Sequence, residues 1–275
     1  MTHKPWAARA LFLAVAALGM LSIGRIGLLD AARVWPALTN LAEFTGSLFP
    51  PNFDVLPTLL RAMFETIQIA FVGTLIGLMI SVPLAVLGTR TLFGPAVTAP
   101  ARLFVGAVRT VPSLLWGVVF VVAYGLGPEA GTLGVALYTV GYLGKLYYEA
   151  FEAVDPEVME AVRSTGASRP QLISYAVLPE SANAIISQLF FMFEYNIRAS
   201  TIMGFVGAGG IGFYMLGYLQ LLQYENLMTA LLLTFAVVMA VDYLSAQLRA
   251  LILPAMDRHP ARRGSLRAAV SALWH

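Results

Sequence analysis

The chain contains no cysteine, which removes disulfide frameworks and thiolate metal sites. Its histidines stand only at His3, His259 and His275, outside every apolar run, so no imidazole cluster is available to hold a metal. Charge is scarce: Asp, Glu, Lys and Arg make up 12% of 275 residues, against about 25% in an ordinary soluble domain. Reaction motifs are missing too. There is no H-E-x-x-H, no Asp-rich metal motif and no Ser/His/Asp set, so the sequence gives no reason to expect an enzyme. G-x-x-x-x-G-K-[ST] is also absent. Gly144-Lys145 lacks both the upstream glycine and the following hydroxyl, so any ATP hydrolysis belongs to another polypeptide.

What is abundant is apolar surface, at 59% of residues. The charges are clustered, and the gaps between them leave runs near the roughly 20 residues that span a bilayer. Six candidate spans result, at about 10–28, 64–88, 103–126, 130–149, 180–203 and 226–253. Thr66 to Gly88 carries no charge, and Pro83 within it is expected to kink a helix whose neighbours re-satisfy the freed carbonyl. The first run has the shape of a signal-peptide core between Arg9 and Arg25. No small-x-small cleavage site follows Gly24, however, and Ile26 to Leu29 extend it, so it reads as a span.

Orientation follows from lysine and arginine, which are retained on the cytoplasmic side. With both termini inside, Lys4, Arg9, Arg90, Arg102, Lys145, Arg163, Arg169, Arg258, Arg262, Arg263 and Arg267 fall inside, and only Arg25, Arg33 and Arg61 fall outside. This topology makes the segment between the fourth and fifth spans cytoplasmic. It is built like two short helices: Asp155 and Pro156 supply an N-cap and an N1 proline, with Glu157 and Glu160 near the positive end of the helix dipole. Gly166 suits a left-handed C-cap, Ser168 to Gln171 reads as a capping box, and Pro179 is expected to end or bend the second helix. Ala161, Gly166 and Ala167 keep the elbow slim, and Glu149, Glu152, Asp155, Glu157 and Glu160 gather negative charge around it. The segment is either a structured connector or a docking element.

The same segment resembles the EAA motif of permease subunits of ATP-binding-cassette importers: E-A-A, three residues, Gly, nine residues, Ile, one residue, Leu-Pro. Glu160, Ala161, Gly166, Leu178 and Pro179 fall in register, while Val162 replaces the third position and Ala176 the isoleucine. The stretches "RTVPSLLWGVVFVVAYGLGPEAGTLGVALYTVGYLGKLYYEA" (109–150) and "NIRASTIMGFVGAGGIG" (196–212) resemble the phosphonate-importer permeases, over about residues 60–253. Methionine-importer permeases are the nearest alternative family. An ion-coupled secondary transporter is the alternative from another class.

The resemblance implies an all-α membrane protein of six transmembrane helices with a cytoplasmic coupling-helix loop, the type I importer permease fold. It implies one permease domain over 1–275, with a core at about 60–253, a coupling loop at 151–179 and a basic cytoplasmic tail at 254–275. Implied partners are a second permease subunit, identical or closely related, two cytoplasmic ATPases that bind ATP and Mg, an extracytoplasmic substrate-binding protein and the bilayer of a bacterial cytoplasmic membrane. No cofactor in this chain and no nucleic acid are expected. Asp155, Glu157, Glu160, Ala161, Gly166, Ala167, Leu178 and Pro179 become the ATPase-coupling residues.

Charges inside the spans each need a partner or water, because an isolated one costs at least about 2.5–3.5 kcal/mol. Glu194 and Arg198, four apart with the acid first, either neutralise each other or leave Arg198 to line a wet path with Asn196, Ser200 and Thr201. Arginine's planar fork suits phosphoryl oxygens. Arg109 either snorkels or meets the anion at the inner mouth, Lys145 snorkels, and Asp242 either pairs with a base on another helix or lines the conduit. Gly207, Gly209 and Gly212 fit G-x-G-x-x-G, but they follow a membrane helix and no βαβ unit surrounds them. With Gly204 and Gly210 they are expected to let the chain turn sharply and pack closely, as a hinge or outer gate at a flexible edge of the path.

Overall fold

The computed structural model describes residues 5–26 and 30–256. Most of the expected basic tail, from residue 257 onward, lies outside the described residues. The chain forms two compact units, Met1–Pro51 and Asn52–His275. The first holds α1 (Pro5–Ile26) and α2 (Ala31–Ser47). The apolar part of α1, Leu11–Ile26, is shorter than an ordinary span. Helix α2, unforeseen in the sequence, is opened by the Asp30 carboxylate, which accepts from the Ala32 N–H at 3.0 Å.

The described residues of the second unit contain helices and turns only. Helix α3 (Leu56–Gly88) has proline in its first turn, where a missing N–H costs nothing. Its 33 residues rise about 50 Å, more than the ~30 Å hydrocarbon core, and the helix continues through Pro83. The expected single span at 103–126 is two helices. Helix α4 (Pro95–Thr110) and α5 (Ser113–Tyr124) meet at 89°. Pro112 is the cause: the residue before a proline is pushed out of helical geometry, and Val111 is extended at φ −86°, ψ 124°. Trp116 Nε1 braces the corner by donating to the Val108 carbonyl at 3.1 Å, one of the acceptors that the end of α4 leaves open.

Helices α6 (Pro128–Glu152), α7 (Pro156–Ser164) and α8 (Arg169–Leu172) follow. A π turn at Ile173–Val177 then leads into α9 (Leu178–Met203), and α10 (Ile211–Gln220) and α11 (Tyr224–Met256) complete the described chain. Pro179, expected from sequence to end or bend the second helix, does not end it. Helical structure is continuous from Arg169 to Val206, because the wide turn lets the Leu178 N–H reach back to the Ile173 carbonyl just before the proline that cannot donate. Among the described residues, three helical stretches are long and apolar enough to cross a membrane (Phe53–Gly88, Arg169–Val206 and Tyr224–Ile252), and the bent α4–α5 pair makes a fourth if taken as one span.

Buried residues run the length of helix α6, from Ala130 to Phe151. Its glycines are where its neighbours seat. A Cβ on Gly131 would stand 2.4 Å from the Ala208 carbonyl, one on Gly134 3.0 Å from the Gly117 nitrogen of α5, and one on Gly141 2.9 Å from the Arg109 nitrogen of α4. On its other side α3 presents Gly73 and Gly77, where a Cβ would meet Val135 at 2.6 Å and Thr139 at 2.5 Å. Small residues four apart let two membrane helices approach backbone to side chain. Across this seam the buried Asn196 of α9 donates from Nδ2 to Thr74 Oγ1 at 2.7 Å and to Thr139 Oγ1 at 2.8 Å. One side chain thereby ties α3, α6 and α9.

Candidate functional site

At the α6–α7 end, the elbow is assembled from local signals. The Asp155 carboxylate accepts from the Glu157 N–H at 2.9 Å, capping α7, and Gly166 closes it at φ +80°. Helix α7 is two-faced. Met159 is buried, and Val158 and Val162 pack on a core built around Tyr147, Phe151 and Met192. Asp155, Glu157, Glu160, Ala161 and Gly166 are exposed, Ala167 and Leu178 are half-buried, and Pro179 is exposed at the start of α9. The two departures from the EAA pattern fall in that same core: Val162 fills space on the inward face, and Ala176, fully buried, takes less. Neither alters the outward face.

The acidic cluster around the elbow is thinner than the sequence suggests. Glu152 is engaged inward, bonded to the Arg102 guanidinium and accepting from the Arg90 N–H at 2.7 Å. Glu149 pairs with Lys145 at 3.1 Å. Glu157 and Glu160 have no ion-pair partner among the described residues. A cavity of about 580 Å³ runs beside α7 between Thr91, Met159, Glu160 and Arg163, and Arg163 closes one side of it by donating to the Thr91 carbonyl at 2.8 Å. The elbow is thus a rigid ridge with carboxylates on its free face.

The residues expected to line a path separate into three places. Asn196 and Ser200 are buried in the core, where Ser200 Oγ donates to the Asn196 carbonyl at 2.7 Å. Thr201 bonds its own helix, donating to the Ile197 carbonyl at 3.1 Å. Glu194 and Arg198 lie toward α11 and do not pair with each other, which corrects the reading from their spacing. Arg198 pairs with Asp242, and Glu194 accepts from Arg249 Nη2 at 2.8 Å. As the number rises on α9 it falls on α11, so the helices run antiparallel with two stacked ion pairs of opposite sense. Each charge finds a full partner across the seam, with better access than a neighbour on its own helix offers. Asp242 does pair with a base on another helix. Arg249 is the partner that sequence reasoning missed. Arg109 sits apart, at the end of α4 beside Lys145.

The glycine run makes the sharp turn and close packing expected of it, and α3 holds it by two hydrogen bonds. Gly207, Gly209 and Gly210 have φ of +86°, +80° and +73°, a region open to glycine. Cβ atoms on Gly204 and Gly212 would strike backbone, the first 2.7 Å from the Gly209 carbonyl and the second 1.8 Å from that of Thr201. From α3, Glu65 Oε1 accepts from the Gly210 N–H and Thr66 Oγ1 from the Ile211 N–H, both at 2.8 Å. Backbone N–H groups in a glycine turn attract an oxyanion, and here the oxyanion is the chain's own Glu65 carboxylate. The sequence signal for Glu65 was its place immediately before the uncharged run.

Comparison with known proteins agrees with this architecture. Residues 73–258 match the family of binding-protein-dependent transport system inner membrane components. A phosphite transport system permease protein of Stutzerimonas stutzeri is 38% identical over 231 residues, 84% of this chain and 84% of that protein. A phosphate-import permease protein of Mycolicibacterium smegmatis is 38% identical over 235 residues, 82% of this chain and 44% of that protein. Among solved structures, a chain of an inward-facing methionine ABC transporter superposes with a TM-score of 0.66 at 22% identity, over 75% of this chain and all of that one. That likeness shows a shared type I permease fold. With all-helical packing, spans of membrane length and a family match over more than half its length, this chain belongs to the inner-membrane permease components of binding-protein-dependent ABC importers.

Proposed function

We propose that the chain carries a phosphorus oxyanion (phosphite, phosphate or a phosphonate) across a bacterial cytoplasmic membrane by alternating access. The elbow carries this reading: a capped, amphipathic α7 whose core face is anchored and whose Glu157, Glu160 and Ala161 are free for a partner. The substrate class is supported by 38% identity along 84% of the chain to a permease named for phosphite transport. Both termini and the elbow are cytoplasmic in this proposal, as the lysine and arginine distribution favours. Two partner ATPases bind ATP and Mg and grip the elbows of a permease pair, identical or closely related, while an external binding protein delivers the anion to the far side. Closure of the ATPases turns the elbows and opens the outer gate at the glycine run.

An ion-coupled carrier fits less well, because Glu194 and Asp242, the acids available for proton carriage, each already hold an arginine. The test is uptake of phosphite, phosphate, a phosphonate and methionine by vesicles holding the chain with its ATPase and binding protein. Phosphorus-anion uptake that needs ATP and survives a proton uncoupler is expected. Uptake of methionine alone, or uptake indifferent to ATP, would overturn the proposal.

Gly166 gives a sharper test of the elbow. A Cβ there meets nothing within 4 Å, while the backbone is left-handed at φ +80°. Asparagine tolerates that conformation and valine does not. Gly166→Asn is expected to leave the chain folded and membrane-inserted while lowering coupled ATPase activity and transport at least tenfold, because its bulk meets only the partner. Wild-type transport by Gly166→Asn would show that the elbow needs the backbone turn and not a slim contact.

A further inference from the structure

The feature that the importer reading leaves unused is a polar pocket between α4 and α6. Val105, Gly106, Arg109 and Thr110 face Lys145 and Tyr148 across a cavity of about 260 Å³. Two basic side chains, Arg109 and Lys145, line it, a third, Arg102, lies over the Tyr148 ring, and the three differ in what neutralises them. Arg102, whose guanidinium lies 4.2 Å over the Tyr148 ring, is committed to Glu152 and to the Gly88 carbonyl at 2.7 Å. Lys145, half-buried, shares its charge with the exposed Glu149 at 3.1 Å. Arg109 is exposed and belongs to none of the ion pairs among the described residues. The pocket therefore carries one uncompensated positive charge with a second beside it.

A cation at the end of α4 has an ordinary explanation, since the last turn of a helix favours positive charge. That explanation does not account for the cavity. The backbone of Arg109 is pressed on Gly141, where a Cβ would stand 2.9 Å from its nitrogen, so the root of the side chain is fixed. Gly106, one helical turn earlier, leaves the floor open: a Cβ there meets nothing within 4 Å. A guanidinium on an anchored backbone and an ammonium, both lining one cavity, suit a planar fork on two oxygens of a tetrahedral anion, with a point charge on a third.

We propose that this pocket binds a phosphate-type oxyanion, with Arg109 as the principal ligand and Lys145 as its companion. The chemistry is shared by two sources, the imported anion and the phosphate of an anionic phospholipid. Only the first of them rests on the import reading above.

The experiment uses the full-length chain in nanodiscs of zwitterionic lipid, with inorganic phosphate and phosphite as probes followed by phosphorus NMR line broadening. A second arm measures by mass spectrometry the anionic phospholipid retained on purification. Arg109→Ala is expected to weaken phosphate binding at least tenfold, and Arg109→Lys to weaken it less. Gly106→Leu, which fills the floor and keeps both cations, is expected to act like Arg109→Ala. If free phosphate does not bind the wild type, but both Arg109→Ala and Gly106→Leu lose retained anionic phospholipid several-fold, the pocket stands with a lipid headgroup as its ligand. Wild type and variants alike in both arms overturn the proposal; both positions are exposed, and neither substitution adds an atom to the backbone contact between Arg109 and Gly141, so misfolding does not mask the result. Phosphate binding that depends on Arg109, found together with methionine-only uptake, would end the import reading and leave the pocket.

Discussion

Gly212→Ala is expected to abolish assembly of the permease. The added methyl group would lie 1.8 Å from the Thr201 carbonyl oxygen, 2.9 Å from its carbon and 3.1 Å from Gly204 Cα. All three are backbone atoms, so no side chain can swing aside. Overpacking a core costs about 1–3 kcal/mol when side chains absorb it, and here the cost lies at or above that range. The loss would appear as a collapse of the monodisperse fraction in detergent and a lowered unfolding temperature. Gly217→Ala is the control: it lies on the same short helix, a Cβ there meets nothing within 4 Å, and the change favours helix by up to about 1 kcal/mol. Equal behaviour of the two variants would mean that the chain ends around 201–204 and 211–213 are not held together in the assembled protein.

Glu194→Ala is expected to destabilise nearly as much, by leaving Arg249 without its carboxylate between two membrane helices. Removing one partner of a buried pair costs about 3–5 kcal/mol. The low end applies here, because the Arg249 side chain is 32% exposed while that of Glu194 is 14% exposed. Removing both partners should recover most of the loss. The decisive comparison is between two double variants. Glu194→Ala/Arg249→Ala removes a pair, whereas Glu194→Ala/Arg198→Ala strands both Asp242 and Arg249. Coupling of about 1–3 kcal/mol is expected in the first cycle and additive losses in the second, read from thermal unfolding in one detergent. The reverse ranking would restore the pairing along α9 in place of the pairing across the seam.

These outcomes also mark where the sequence stops being informative. The elbow was legible because its determinants are local: an Asp-Pro cap, a left-handed glycine and a two-faced helix all act within a few residues. The partners of Glu194 and Arg198 were not, because the spacing rule for one helix says nothing of what an antiparallel neighbour brings alongside. The corner at Val111–Pro112 was hidden for a related reason. A proline inside a long apolar run is ordinary in a membrane helix, and whether it kinks or breaks the helix depends on what receives the open carbonyls, here the Trp116 indole. The glycines of α6 offered no sequence signal of rank, since their value lies in the backbones that rest on them. Glu65 was overlooked because a carboxylate beside a span looks like an end marker until its partner, a turn far along the chain, is known.

The π turn at Ile173–Val177 has a geometric consequence for coupling. One extra residue in a helix of 3.6 residues per turn shifts everything beyond it by about 100° of azimuth. Because helical structure is unbroken from Arg169 to Val206, this offset sets the bearing of α8, which follows the elbow, relative to the face of α9 that carries Glu194 and Arg198. The turn therefore acts as a phase setter. In the proposed coupling, torque entering at Arg169 would reach the glycine turn along one rod, with its direction there set by that single surplus residue.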